Sequence, residues 1–331
     1  MVLRIFQPGR PGGIAIDAGE ASAILPSDTV WIDLLEPSRE EERLVELTLG
    51  LQVPTREEMA EIEPSSRLYQ ERGAVFLTAN VMSGIEAGDP VSTPVSFVLT
   101  PEHLVTVRYA DPKPFRSFAA HIQREPSLCG SATMTLIHLL DAIIDRLADT
   151  LEVVQSDIDK TSRTIFRRGL QSARRRGRMS NDTLQELLLR IGDDQDLLAK
   201  TRDSLASMGR LMSFLSLPHH IREDRELREH VKSLGRDVAS LIDHSGFLAT
   251  NISFLLDASL GLINIEQNAI IKIFSVAAVV FLPPTLVASI YGMNFEHMPE
   301  LRWLLGYPYA LALMVMSAVL PYLFFKRKGW L

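Results

Sequence analysis

The chain carries one cysteine, Cys129, in 331 residues, which excludes an intrachain disulfide and a cysteine-based metal cluster. It has no GxxxxGK[ST] loop and no dinucleotide fingerprint, so nucleotide-driven chemistry has no seat. A Ser/His/Asp, Cys/His or paired-carboxylate signature is also missing, which points away from an enzyme. Positive charge is not in excess: 34 Lys and Arg stand against 41 Asp and Glu, a formal charge of -7, and no general nucleic-acid binder is expected. The opening residues, Met1 to Gly9, contain no apolar core of a leader sequence, so a signal peptide is not expected.

The most informative absence is local. No charged residue occurs from Ile273 to Tyr291 or from Trp303 to Phe325, giving runs of about 19 and about 23 residues, each long enough to cross a bilayer as a helix. The short connection, Gly292 to Arg302, predicts a membrane hairpin. Lys272 precedes the first run and Lys326, Arg327 and Lys328 follow the second, which puts both termini on the cytoplasmic side by the Lys/Arg bias. The expected location is the cell (inner) membrane, with about 270 residues in the cytosol.

Those residues read as an α+β arrangement with a membrane part. Residues 1–125 are expected to form a mixed α/β domain, with strands at 74–78, 95–99 and 104–107. Between Trp31 and Ala74 the pattern is helical, with capping boxes at Ser38/Glu41 and Thr55/Glu58. Residues 126–221 are expected to form a hairpin of long helices. Ile137, Leu140, Ile144, Leu147, Leu151, Val154, Ile158, Thr161 and Ile165 keep the three-four spacing of a helix seam. The arginines between Arg167 and Arg178 suit either a solvated turn or an anionic site. Residues 222–292 then predict one unbroken stalk helix that becomes the first span, on the order of 100 Å long at 1.5 Å per residue. A loop at 293–302, a second span at 303–325 and a basic tail at 326–331 complete the chain.

Within the first span, Asn268, Ile271, Ser275, Ala278, Leu282, Thr285 and Ser289 follow one stripe. Small and hydroxyl residues allow close helix approach or line a wet lumen, and Leu and Ile can gate by dewetting. Two spans cannot enclose a path, so a pore requires self-association in closed symmetry. Plain helix packing, or a coiled-coil dimer with a membrane anchor, accounts for the rhythm alone.

Tyr291-Gly292-Met293-Asn294, then Phe295-Glu296 and Met298-Pro299-Glu300-Leu301, resembles the signature of the CorA magnesium channels of the two-transmembrane GxN metal-ion transporters. Trp31-Ile32-Asp33-Leu34, Glu61-Ile62-Glu63-Pro64-Ser65-Ser66-Arg67 and Val105-Thr106-Val107-Arg108-Tyr109 resemble the soluble domain of the same family. The resemblance implies a homopentamer that admits Mg²⁺, with Co²⁺ or Ni²⁺ as further cargo, passively and under control of cytosolic Mg²⁺. Asn268 and Thr285 match the family's polar pore rings. Mg²⁺ parts with its water slowly, so a collar of Asn294 amide oxygens would hold the hydrated ion. Gly292 is expected to leave the helix in a left-handed conformation.

Glu296 and Glu300 would concentrate cations at the entrance; His297 is expected to be solvated. Lys326, Arg327 and Lys328 match a cytosolic basic collar and serve equally as a topology anchor. Asp257 matches an acidic position implicated in Mg²⁺ sensing, and Asp193, Asp194 and Asp196 form a second carboxylate group. Phe274 is bulky and Pro283-Pro284 doubles a proline, departures that bear on conductance or gating. Two alternatives stand beside the channel: a zinc-transporting relative, and a non-conducting, membrane-tethered sensor or scaffold.

Overall fold

Seven short strands make one sheet in the order β2-β1-β3-β7-β6-β5-β4. The structure, a computed structural model, describes residues 2–18, 25–168, 181–294 and 298–328. The strands are β1 Val2–Phe6, β2 Ile14–Ile16, β3 Trp31–Leu35, β4 Leu68–Glu71, β5 Ala74–Ser83, β6 Val91–Leu99 and β7 Leu104–Arg108. All neighbours run antiparallel except β3 and β7, which are parallel. The helices are α1 Arg39–Leu49, α2 Arg56–Ala60, α3 Pro64–Arg67, α4 Lys113–Arg124, α5 Ala132–Arg163, α6 Asn181–Leu215, α7 His219–Glu223, α8 Arg225–Tyr291 and α9 Gly306–Arg327. The chain separates into two compact units, Met1–Thr164 with Glu186–Leu255, and Ile165–Gln185 with Leu256–Leu331.

In the first unit, both capping boxes form. Ser38 Oγ accepts from the Glu41 N–H while the Glu41 carboxylate accepts from the Ser38 N–H, and Thr55 and Glu58 repeat the exchange. Gly50 closes α1 at φ 67°, a left-handed conformation that a β-carbon disfavours. The stretch from Trp31 to Leu35, expected to be helical, is instead the strand between β1 and β7. Its residues Trp31 to Leu34 are all buried, so it lacks the alternation that marks a half-exposed strand.

Burial of Asp33 in that strand is tolerable because Arg108 answers it on the parallel neighbour. Arg108 Nε and Nη2 donate to the two Asp33 oxygens at 2.9 and 2.8 Å, and Nη1 donates to Asp111 at 2.7 Å. Thr106 Oγ1 donates to Asp33 at 2.8 Å and accepts from Trp31 Nε1 at 2.9 Å. Burial opposes the charge on Arg108, but the hydrogen bonds and charges of Asp33 and Asp111 outweigh it and raise its pKa. The guanidinium also lies 4.6 Å from the centre of the Phe115 ring.

Helix α6 is secured to the sheet beside one proline. Pro94 of β6 faces Asn80 of β5 and has no N–H to give. The Asn80 carbonyl accepts from Ser204 Oγ at 2.6 Å, and its N–H donates to Ser207 Oγ at 2.9 Å, both on α6. Asp203 accepts from the Asn80 side chain at 2.6 Å and from Ser92 at 3.0 Å, and Arg67 Nη1 donates to Asn80 Oδ1 at 3.1 Å. The eight seam residues on α5, Ile137 to Thr161, are buried, and so is Ile165 in the π-helical turn that follows, Thr164–Arg168. The arginines from Arg174 to Arg178 lie outside the described residues.

Helix α8 runs unbroken for 67 residues, about 100 Å at the usual rise. It begins at Arg225, after the short α7, and not at Arg222: Pro218 starts α7, and Asp224 then caps α8 by accepting from the Glu226 and Leu227 N–H groups at 2.8 and 3.1 Å.

Candidate functional site: a polar helix stripe and its terminal loop

The second unit contains the C-terminal part of α8, the loop and α9. Both helices are long and apolar enough to cross a membrane, with mean hydropathy of 2.2 and 1.8 over their most apolar windows. Helix α9 starts at Gly306, three residues inside the predicted span, because Pro299–Arg302 forms a separate 3-10 turn. Gly306 follows closely on that turn: a β-carbon there would sit 2.3 Å from the Glu300 carbonyl oxygen. Trp303 then meets Tyr309 edge-on, with ring centres 6.2 Å apart.

All seven stripe residues, Asn268, Ile271, Ser275, Ala278, Leu282, Thr285 and Ser289, are exposed. The half-buried residues of the same helix, including Val276, Val280, Pro283, Pro284 and Val287, lie on roughly the opposite side when counted at 3.6 residues per turn. Val276, Val279 and Val280 border a cavity shared with Tyr322 and Phe325 of α9. Among the described residues the stripe is therefore left exposed. Asn268, Ile271 and Ser275 reach the edge of that cavity, whereas Ala278 to Ser289 do not border it.

Two prolines interrupt the hydrogen bonding of α8 without ending it. Pro283 and Pro284 have no N–H, so the carbonyls of Val279 and Val280 lose their partners four residues on. Thr285 Oγ1 turns back to donate to the Leu282 carbonyl at 2.8 Å. Phe274, the bulky departure, is 72% exposed.

At the end of α8 the Gly292 N–H donates to the Ala288 carbonyl at 2.9 Å, and the Met293 N–H donates to that of Ile290 at 3.2 Å. The expected left-handed turn at Gly292 is not found, since Gly292 is absent from the positive-φ glycines. Glycine answers a need for space: a β-carbon would lie 3.1 Å from the Ala288 oxygen. Met293 and Asn294 follow on the exposed end, and Glu300 is half-buried in the 3-10 turn. Glu296 and His297 lie outside the described residues.

Lys326 and Arg327 occupy the last turn of α9, where cations offset the negative helix end. Lys328 caps it, with its ammonium 5.4 Å from the Phe324 ring centre. Asp257 is exposed on α8. Among the described residues, no three His, Cys, Asp or Glu side chains are grouped to hold a metal. The aspartates of α6 divide: Asp196 pairs with Lys200 at 2.6 Å, while burial and the charges of Asp157 and Asp193 push the Asp194 carboxyl up to about 6. Tyr322 was not singled out in the sequence; a hydroxyl near the end of an apolar run, opposite Lys272, was its only signal.

Comparison with known proteins places this geometry. The family model for CorA-like Mg²⁺ transporter proteins matches residues 26–327. The magnesium transport protein CorA of Salmonella typhimurium is 35% identical over 330 residues, covering 100% of both chains. The CorA magnesium transporter structure from Methanocaldococcus jannaschii superimposes with a TM-score of 0.75 at 18% identity, over 100% of this chain and 99% of that one. The cytoplasmic domain of ZntB from Vibrio parahaemolyticus gives 0.58 at 9% identity, over 80% of this chain and 98% of that one. An α/β domain, a very long helix and two apolar C-terminal helices recur in the full-length match, and with the sequence match across nearly the whole chain they make this protein a member of the CorA-like Mg²⁺ transporter family, a family of membrane transporters and not of enzymes.

Proposed function

We propose that this protein is a homopentameric channel for passive Mg²⁺ entry through the cell (inner) membrane, with both termini in the cytoplasm and Co²⁺ or Ni²⁺ as additional cargo. The observation that carries the reading is the bare polar stripe, which ends one turn before Asn294 and lies away from the side of α8 that is half-buried. Relatives named for magnesium transport, matching end to end, supply the cargo. Copies arranged around one axis would stack Asn268, Ile271, Ser275, Ala278, Leu282, Thr285 and Ser289 into rings. Gly292, Met293 and Asn294 would form the outer mouth.

In this arrangement the Asn294 amide oxygens accept hydrogen bonds from water on the ion, so selection does not require stripping the shell. Glu296 and Glu300 raise the local cation concentration, an effect that added salt screens. Lys326, Arg327 and Lys328 form the cytosolic collar. Asp257 is the regulatory position: carboxylates brought together by neighbouring copies repel until a divalent cation joins them, which favours the closed form at high internal Mg²⁺.

Flux into vesicles containing the purified protein tests this. Mg²⁺ entry is expected without a proton gradient, to fall as internal Mg²⁺ rises, and to be lost in Asn294→Ala. Unchanged flux in that variant would overturn the amide collar, and no flux in the parent would leave the sensor or scaffold reading. The second transport reading is zinc, which the loop motif does not rule out; Zn²⁺ flux driven by a proton gradient and exceeding that of Mg²⁺ would favour it.

A further inference from the structure

The cavity between α8 and α9 has a volume of about 490 Å³ and is polar at one end only. Asn268 and Lys272 stand at its polar end, Val276 and Val280 continue along α8, and Tyr322 and Phe325 face them from α9. Lys272 to Val280 covers about 12 Å of helix, the depth of a lipid headgroup and the first carbons of its chain. The volume is within the range of small-ligand sites.

Charge is one-sided here. No acidic residue occurs between Glu266 and Glu296 or after Glu300, and among the described residues Lys272, Lys326 and Arg327 make no ion pair. By helix geometry, Glu266 lies about 120° around α8 from Lys272. An ammonium at the cytosolic edge of the first span without a carboxylate, beside a donor amide, a phenol and an apolar trough, matches a phosphodiester with an acyl chain.

We infer that this groove binds an anionic phospholipid, its phosphate held by Lys272, Asn268 and Tyr322 and its chain lying on Val276, Val280 and Phe325. The inference rests on the membrane reading of α8 and α9 but not on conduction. The stripe residues Leu282, Thr285 and Ser289 are not used by the lipid, so over the outer half of the span headgroup and ion path stay on separate flanks of α8, while Asn268 borders both. A groove formed at the ends of both spans lets the leaflet's charge bear on how the hairpin is held.

Native mass spectrometry of the full-length protein in detergent, titrated with dioleoyl phosphatidylglycerol or dioleoyl phosphatidylcholine, tests the site. Tighter retention of phosphatidylglycerol, one per chain, is expected. Lys272→Gln should weaken it about fivefold, the equivalent of one lysine at an anionic surface. Val280→Trp, which fills the trough, should remove the preference, and Lys232→Gln, on the part of α8 in the first unit, should leave it intact. Equal retention of the two lipids, or wild-type retention in both Lys272→Gln and Val280→Trp, would overturn the inference. Displacement of the lipid by inorganic phosphate at equal concentration would assign the site to the free anion and overturn it likewise. Mg²⁺ flux measured on the same samples separates the two claims: phosphatidylglycerol held without flux sinks the channel and keeps the lipid site, and flux without lipid preference does the reverse.

Discussion

The two units satisfy their polar groups in opposite ways. In the first, a charge at the centre of a sheet is answered within the chain: Arg108 and Asp33 are 2% and 4% exposed and joined by two hydrogen bonds. In the second, the most apolar window of α8 is 0% buried and that of α9 only 6%, and seven residues of mixed polarity form a stripe that is exposed among the described residues. The first unit answers its buried charge with partners from its own chain. The second leaves that surface without a partner among the described residues of its own chain.

Breaking the first unit from inside should have the largest effect on stability. Arg108→Leu strands Asp33 as a buried charge, and loss of about 3–5 kcal/mol is expected, read as a lower thermal midpoint of the purified protein. An unchanged midpoint would mean that water reaches Asp33. Next comes the helix-to-sheet link. Ser207→Ala removes the hydroxyl that accepts from the Asn80 N–H, at a cost of about 1–3 kcal/mol; hydrogen exchange at Asn80 should accelerate, and protection equal to the parent would refute the role of Ser207.

A smaller, pH-dependent effect distinguishes Asp194. Its carboxyl is raised to about 6 in the fold by burial and by Asp157 and Asp193, against a usual value near 3.9. The folded state therefore holds the proton more tightly than the unfolded chain, and stability contributed below the ordinary value is lost as pH climbs through about 6. Because the group is half-exposed, solvent screening reduces the effect to on the order of 1 kcal/mol. Asp194→Asn should raise the midpoint at pH 8 and leave it nearly unchanged at pH 4. A gain of the same size at both would show that charge is not the cause.

Much of this contrast could be read from the residues. The two charge-free runs, the long three-four seams and both capping boxes are local patterns, and each became the expected element. Trp31 to Leu35 was not legible as a strand, because its apolar run is buried on both faces and carries Asp33, whose partner is 75 residues away. Strand β4 and the first two strands were missed for a related reason: each is three to five residues long and is fixed by its neighbours more than by its own pattern. At the candidate site, the stripe and the loop motif were readable, whereas the groove was not. Tyr322 and Lys272 are 50 positions apart in sequence, and only an antiparallel return brings them to one cavity.

The smallest expected effect lies at the junction of helix and loop, where the conformation expected of Gly292 differs from the one observed. If Gly292 were required for a left-handed backbone, any side chain would distort the turn, and alanine would be about as damaging as valine. Its conformation is not left-handed; what a side chain meets is the Ala288 oxygen at 3.1 Å, a contact relieved by a shift of a few tenths of an ångström. Gly292→Ala should therefore leave the midpoint within about 1 kcal/mol of the parent and reduce Mg²⁺ flux only partly, while Gly292→Val, whose branched side chain cannot turn away from the preceding turn, should reduce it much further. Equal loss in the two variants would restore the backbone explanation, and with it a different path for Met293 and Asn294 toward the axis.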